Sequence, residues 1–244
     1  MKGVVQAGGL GTRLRPLTSI TNKHLLPVYD QPMIFYPIQK LAEAGIKDVM
    51  LVTGGDSAGD FLRLLGDGSE FGLNTLNYAY QVNEGGIAEA IGLTRTFVGG
   101  GKFIVILGDN ILEDSLTEKV AAFEEQEDGA RILLKRVDNP SDYGVAELDG
   151  TRVVSIEEKP ERPRSSYAVI GVYMYDRFAF EIIDSLEPSA RGELEVTDIN
   201  NAYLERNKLR ADIIEGWWAD SGSSIDGLLQ AGIMARELRR GNST

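Results

Sequence analysis

The chain has 244 residues, a formal net charge of −12 and no cysteine. The missing thiols exclude disulfides, thiolate zinc sites and a cysteine nucleophile. So acidic a chain excludes nucleic-acid binding without a basic stripe, and its cations are scattered apart from Arg236, Arg239 and Arg240, which read as the dipole-matched end of a last helix. No apolar run approaches the 18 or so residues of a membrane span, and the first apolar run is too short for a signal peptide, so a soluble, cytoplasmic protein is expected.

At this length roughly 70–75% of the unfolded surface can be buried in a core. Short apolar runs at Lys2–Ala7, Asp48–Thr53, Leu76–Gln81, Phe103–Leu107 and Arg131–Val137 predict buried parallel strands. Helical patterns lie between them: one opened by Pro32, with Ile34, Ile38, Leu41 and Ala42 as its apolar stripe and Gly45 as its stop; then Phe61–Leu65; Ile87–Phe97; and Ser115–Glu127, where Ser115 and Glu118 have capping-box spacing. After about residue 138 the rhythm changes to closely spaced strands, Tyr143–Leu148, Arg152–Glu158 and Tyr167–Tyr175, with a hairpin turn at Asp149-Gly150. Helices are predicted at Thr197–Arg206 and Ser223–Leu238. The pattern is α/β: a mostly parallel sheet flanked by helices, in one domain over 1–244, with a nucleotide half (about 1–137) and a half for the second substrate (138–244). Ligands in such sheets bind beyond the carboxyl ends of the strands.

The first strand runs directly into Ala7-Gly8-Gly9-Leu10-Gly11-Thr12-Arg13-Leu14. Glycines let main-chain N–H groups approach an anion, and an arginine can fork onto phosphate oxygens. The loop is neither a G-x-G-x-x-G fingerprint nor a P-loop. Gly8–Leu14, followed by Asn22-Lys23-His24-Leu25-Leu26-Pro27-Val28, resembles the G-G-x-G-T-R-L…K-x-L-L-P signature of sugar nucleotidyltransferases, and the resemblance runs through almost the whole chain. It implies a Rossmann-like sheet with a smaller inserted sheet in the C-terminal half. It also implies a nucleotide cradle of Ala7, Gly8, Gly9, Gly11, Thr12 and Arg13, with Arg13 on the leaving pyrophosphate and Lys23 beside the reacting phosphates.

Two acidic positions stand out. Asp109 follows the buried run Phe103–Leu107, where an aspartate is well placed to hold Mg²⁺. Asp220, in Trp217-Trp218-Ala219-Asp220-Ser221-Gly222-Ser223, resembles the aspartate of the family's W-x-D-T-G stretch, the other metal ligand. Either residue read alone is equally a helix cap. Ser221 and Ser223 replace the usual threonines but keep the hydroxyls.

Gln81 and Gly86 fall in the family's Q…G-L-A stretch, here with Ile87 for leucine; the glutamine amide, with one donor and one acceptor face, is expected to read a pyrimidine edge. Tyr143-Gly144-Val145 and Glu157-Glu158-Lys159-Pro160 resemble Y-G-V and E-E-K-P, which implies that Gly144 and Glu158 bind sugar hydroxyls and that Lys159 binds the sugar phosphate. Val169 and Tyr173 would line the sugar pocket, and Arg191 would add a phosphate contact. The stretch R-G-E-L-E-x-T-D-I-N points to the thymidylyl branch, with dTTP and glucose 1-phosphate as substrates. UTP remains open, because a single methyl is worth only about 1–3 kcal/mol. A silent nucleotide-sugar-binding homologue is the reading from another class, opposed by the intact charged positions. A homo-oligomer is expected; the family's feedback inhibition is not, since the tail that carries it in longer members lies beyond the end of this chain. The single histidine, His24, has no evident catalytic partner, so direct displacement without a covalent intermediate is expected.

Overall fold

A computed structural model describes residues 1–9, 11–83 and 85–241. The run KGVVQA forms the central strand β1 (Lys2–Ala7), whose side chains feed two cores. Val4 packs on one face, and Val5 and Ala7 on the other, as expected of a strand covered on both sides. A short ribbon, β2 (Pro27–Val28) and β3 (Gln31–Pro32), precedes α1 (Phe35–Glu43). Pro32 therefore lies in the ribbon rather than opening the helix, and Pro37 is taken into its first turn, where no N–H is missed.

The next segments alternate: β4 (Asp48–Gly54), α2 (Ala58–Leu65), β5 (Thr75–Gln81), α3 (Gly86–Gly92), α4 (Arg95–Val98) and β6 (Phe103–Leu107). The helix expected over 87–97 breaks in two at Leu93–Thr94. Then come β7 (Asn110–Leu112), α5 (Thr117–Glu125), β8 (Ala130–Arg136), β9 (Gly144–Asp149), β10 (Arg152–Glu158) and β11 (Tyr167–Tyr175). Ser115 accepts the Thr117 N–H at 3.2 Å, one position short of the expected Ser115–Glu118 spacing. The chain continues through α6 (Phe178–Asp184), α7 (Val196–Glu205), β12 (Leu209–Ile213), β13 (Trp218–Asp220) and α8 (Ile225–Gly241).

Among the described residues, nine strands form one sheet in the order β10-β9-β11-β6-β1-β4-β5, with β8 on β11 and β12 on β8. The stretch β6-β1-β4-β5 is parallel. The strand expected as parallel over 131–137 instead runs antiparallel to β11 and parallel only to β12. The smaller C-terminal part is the β9–β10 hairpin, continuous with the large sheet through β11. Helices α3, α6 and α7 cover one face and α1, α2 and α5 the other. Helix α8 packs separately, setting Ala231 and Ala235 against Val28, Met33 and Ile111.

One strand creates the cleft. The N-terminal half of β11 pairs with β9 (Val169 with Gly144), and its C-terminal half pairs with β6 (Val172 with Ile106). Between them, at Gly171, Asn110 Oδ1 accepts the free N–H at 3.0 Å. A Cβ on Gly171 would stand 2.6 Å from Asn110 and from Leu107, so only glycine admits that wedge. The opening between β6 and β9 is the floor of the site.

Candidate active site

The glycine loop closes over two side chains distant in sequence. A Cβ on Gly8 would lie 2.9 Å from Gln81 Oε1, and one on Gly9 would lie 3.6 Å from Lys23 Cε. Gly11 has φ +64° and stands against the Lys23 Cβ, with its carbonyl held by Thr18 Oγ1 at 2.7 Å. Thr12 and Arg13 form a single exposed turn after it. The Arg13 charge reaches Lys23, Asp220 and Tyr143. Ala7 is buried beneath the loop, its carbonyl 3.5 Å from Asn22 Nδ2. Leu10 and Glu84, part of the two glycine-bearing motifs, lie outside the described residues.

Lys23 Nζ donates to Asp109 Oδ2 at 2.5 Å, in a cleft where the two side chains are 16% and 11% exposed. Burial alone would drive the Lys23 proton off, but the Asp109 charge more than offsets it and the lysine titrates above its usual value. The reverse holds for Asp109: burial opposes its charge, and Lys23 overcomes burial, which holds the carboxylate ionised. His24, next in sequence, is held neutral by burial and by the Lys23 charge, at about 3, with Nδ1 2.7 Å from Asn22 Oδ1. It packs beneath Gly108 and is placed as a structural imidazole.

Strand β13 brings the second aspartate to the first. It pairs antiparallel with β7, setting Asp220 opposite Asn110. Ser221 donates to the Asp109 carbonyl twice, from N at 3.0 Å and from Oγ at 2.7 Å, while Ser223 Oγ donates to the Asp220 carbonyl at 2.8 Å. Both hydroxyls thus tie the strand to the site, which serine does as well as threonine. A Cβ on Gly222 would stand 2.5 Å from Asp109 Oδ2 and 2.7 Å from Lys23 Nζ, so the turn closes only without a side chain. Burial first, then the Asp109 charge, pushes Asp220 well above the carboxylate range.

Lys23, bonded to Asp109, also lies within the field of Asp220, so two carboxyl groups face one cation in a buried cleft, a balance that a divalent cation fits. Among the described residues, no group of three or more His, Cys, Asp or Glu is placed to hold a metal ion by itself. A two-carboxylate set matches Mg²⁺, which prefers to complete its shell with water and substrate phosphate.

Sequence reasoning missed Asn110. Its Oδ1 accepts from Gly171 N and from Trp218 Nε1 (2.7 Å), and its Nδ2 donates to Asp109 Oδ1 at 3.1 Å, so one buried amide joins β7, β11 and β13 and aims Asp109. Its position directly after Asp109 was the available signal.

Two cavities lie side by side here, the first against Asp109 and Asp220 and the second under the glycine loop. One, of about 150 Å³, is lined by Asp109, Tyr143, Gly144, Glu158, Lys159, Val169, Tyr173, Thr197 and Asp220. The other, of about 210 Å³, is lined by Gln6, Gly8, Gly9, Gln81, Gly86 and Glu193; Ile87 borders both. In the first, Glu158 Oε2 accepts from Thr197 Oγ1 at 2.6 Å, and a Cβ on Gly144 would press on both. Lys159 sits at the rim with φ +45°, a conformation that costs a non-glycine residue about 1–3 kcal/mol. Its N–H donates to the Tyr143 carbonyl at 3.0 Å, and its Nζ lies 3.9 Å from Glu158. Arg191 shares Glu158 with Lys159: its Nε and Nη2 donate to Glu195 at 3.1 and 2.6 Å, and Glu158 Oε1 is 3.5 Å away. Its charge is already matched by carboxylates. Gly86 (φ +93°) starts α3 against the Leu194 carbonyl, which links the Arg191 loop to the second cavity.

Residues 2–235 match the family model described as "Nucleotidyl transferase". The chain belongs to that family. Among curated nucleotidyl transferases, it is 45% identical to glucose-1-phosphate thymidylyltransferase of Neisseria meningitidis over 91% of its length and 78% of that protein. It is 44% identical to the Mycolicibacterium smegmatis protein of the same name over 99% of its length and 85% of that protein. A crystal structure described as a glucose-1-phosphate thymidylyltransferase from Bacillus anthracis, in complex with sucrose, superposes with a TM-score of 0.93 at 48% identity, covering 97% of this chain and 95% of that one. UDP-glucose pyrophosphorylase shares the nucleotidyl transferase fold at a TM-score of 0.85 and 24% identity, over 97% and 98% of the two chains. No helix among the described residues is long and apolar enough to cross a membrane.

Proposed function

We propose that the chain joins dTTP to glucose 1-phosphate, giving dTDP-glucose and pyrophosphate. The observation that carries this reading is a pair of cavities that share Ile87, one lined by Asp109 and Asp220 and the other by the glycine loop, whose Gly9 stands against Lys23, in a family member about 45% identical to proteins named for that reaction. The nucleoside would occupy the cavity of Gln81 and the glycine loop, and the sugar the cavity of Gly144, Glu158, Val169 and Tyr173. The α-phosphate would lie where they join.

The residues divide the work by position. The sugar phosphate is already ionised at neutral pH, so its oxygen can attack the α-phosphorus without a general base. The bond from the α-phosphorus to the α,β-bridging oxygen breaks, and that oxygen leaves with pyrophosphate. Lys23, fixed by Asp109, would neutralise charge at the α-phosphate, and Arg13 at the departing pyrophosphate. Lys159 would hold the incoming phosphate in line, where orientation removes much of the barrier. Asp109 and Asp220 would hold Mg²⁺, which supplies charge neutralisation to the phosphate oxygens. Arg191 would serve the sugar phosphate by exchanging one of its carboxylate partners for it.

The test is pyrophosphate release from each common triphosphate crossed with several sugar 1-phosphates. The dTTP–glucose 1-phosphate pair should give the highest kcat/KM. A faster UTP reaction would move the assignment to a uridylyltransferase, and binding without release under any pairing would overturn it.

A further inference from the structure

A glutamine amide can face a ligand with its oxygen or its nitrogen, and the two read opposite partners. At Gln81 the choice is already made. Both Nε2 hydrogens are engaged, one with the Gly86 carbonyl at 3.1 Å and one with Glu89 Oε2 at 2.6 Å. Gln81 is buried, and its Oε1 lies against Gly8 on the wall of the second cavity. Both Nε2 partners are acceptors only. Turning the amide over would put oxygen against oxygen twice, in a place largely closed to water.

The surroundings are shaped for the carboxylate that does this. Glu89 lies in the first turn of α3, and its carboxyl folds back over Gly85. A Cβ on Gly85 would stand 2.4 Å from the Glu89 carboxyl carbon, so the bare backbone there makes the space.

Resting on the function proposed above, we infer that Glu89 is a positioning residue for base recognition. It locks the Gln81 amide with Oε1 toward the base, so that among pyrimidines the cavity accepts those with an N–H at position 3. Thymine and uracil donate there. Cytosine presents a lone pair and is refused by an oxygen that cannot turn away. Glu89 does not itself touch the nucleotide; it acts through Gln81.

The experiment measures dTTP and dCTP affinity by calorimetry on the full chain, alongside kinetics, for wild type, Glu89→Ala, Glu89→Met and Glu89→Gln. Loss of the acceptor in the alanine and methionine variants should weaken dTTP binding about tenfold and cut the dTTP:dCTP preference by about tenfold or more, while the KM for glucose 1-phosphate stays within twofold. Glu89→Gln keeps a carbonyl acceptor and should hold the preference within about threefold of wild type. In a Gln81→Ala background, removal of Glu89 should add nothing to the preference. The methionine variant keeps the side chain's bulk and stands in if the alanine variant does not fold. The inference is overturned if the preference survives loss of the acceptor, or if the glutamine variant falls as far as the alanine one. Absence of dTTP turnover alongside a binding preference that depends on Glu89 would instead fault the assigned reaction and leave the role of Glu89 standing.

Discussion

Lys23 and Asp109, 86 residues apart in sequence, share a hydrogen bond of 2.5 Å, with Asp109 on the wall of the first cavity and Lys23 against Gly9 of the glycine loop. Each favours the other's charge against the burial that opposes it. Lys23→Ala should therefore do two things. It should lower kcat by about 10²–10³, as expected for loss of a preorganised cation at developing phosphate charge. It should also strand Asp109 as a buried carboxylate without its partner and lower stability by about 3 kcal/mol. Steady-state kinetics and urea denaturation of the purified variant check both. A variant with wild-type kcat would remove Lys23 from the reaction.

Metal dependence should be divided between the aspartates. Asp220→Asn removes one carboxylate while leaving the β13–β7 pairing in place, and it should raise the Mg²⁺ concentration for half-maximal activity about tenfold or more. In EDTA the same variant should melt higher than wild type by roughly 2–4 °C, because burial and Asp109 both work against the Asp220 charge. Equal melting temperatures in EDTA would mean that the crowding of the two carboxylates costs the fold nothing.

Thr197 steadies the proposed sugar-binding carboxylate. Thr197→Val keeps the shape but deletes the donor to Glu158 Oε2, and the KM for glucose 1-phosphate should rise about tenfold while the KM for dTTP stays within twofold. Thr197→Ser should restore most of the loss.

Lys159 at the rim should behave as a binding cation for the sugar phosphate. Lys159→Ala should raise the KM for glucose 1-phosphate by about 10–100-fold, and circular dichroism should show the fold intact. Unchanged kinetics would mean that the strained rim residue serves only the backbone turn.

Away from the cleft, Asp176 accepts from Gly129 N (2.6 Å), Phe178 N (2.9 Å) and Tyr203 Oη (2.6 Å) beneath α6 and α7. Tyr203→Phe removes one donor from a buried carboxylate and should cost about 1–3 kcal/mol, read as a lowered urea midpoint with kcat/KM within twofold of wild type.

Much of this was legible in the sequence because it is local. The runs Lys2–Ala7 and Phe103–Leu107 form strands over the bounds their composition predicts, since continuous apolar stretches ending at glycine have few other uses. The glycine loop and Asp109 could be found for the same reason, since each comes just after a strand, whereas Lys23, in a turn between β1 and β2, was marked only by the motif around it. The partners were not legible. Thr197 stands in a motif that pointed only to a branch of the family, and Glu89 reads as an ordinary helix residue until Gly85 leaves room for its carboxyl. Strand β8 was misread as parallel because an apolar run carries no direction; only its neighbours, β11 and β12, decide that.

The pairing of β13 with β7 has a consequence for biosynthesis. A ribosome making this chain completes the glycine loop, Lys23 and Asp109 long before it reaches Asp220. Until that late strand zips into place, the emerging polypeptide has half of its proposed metal-binding pair and no Ser221 to brace the other half. If Asp220 serves as proposed, an unfinished copy should spend no nucleotide, and activity should appear in a single step with the docking of the last strand.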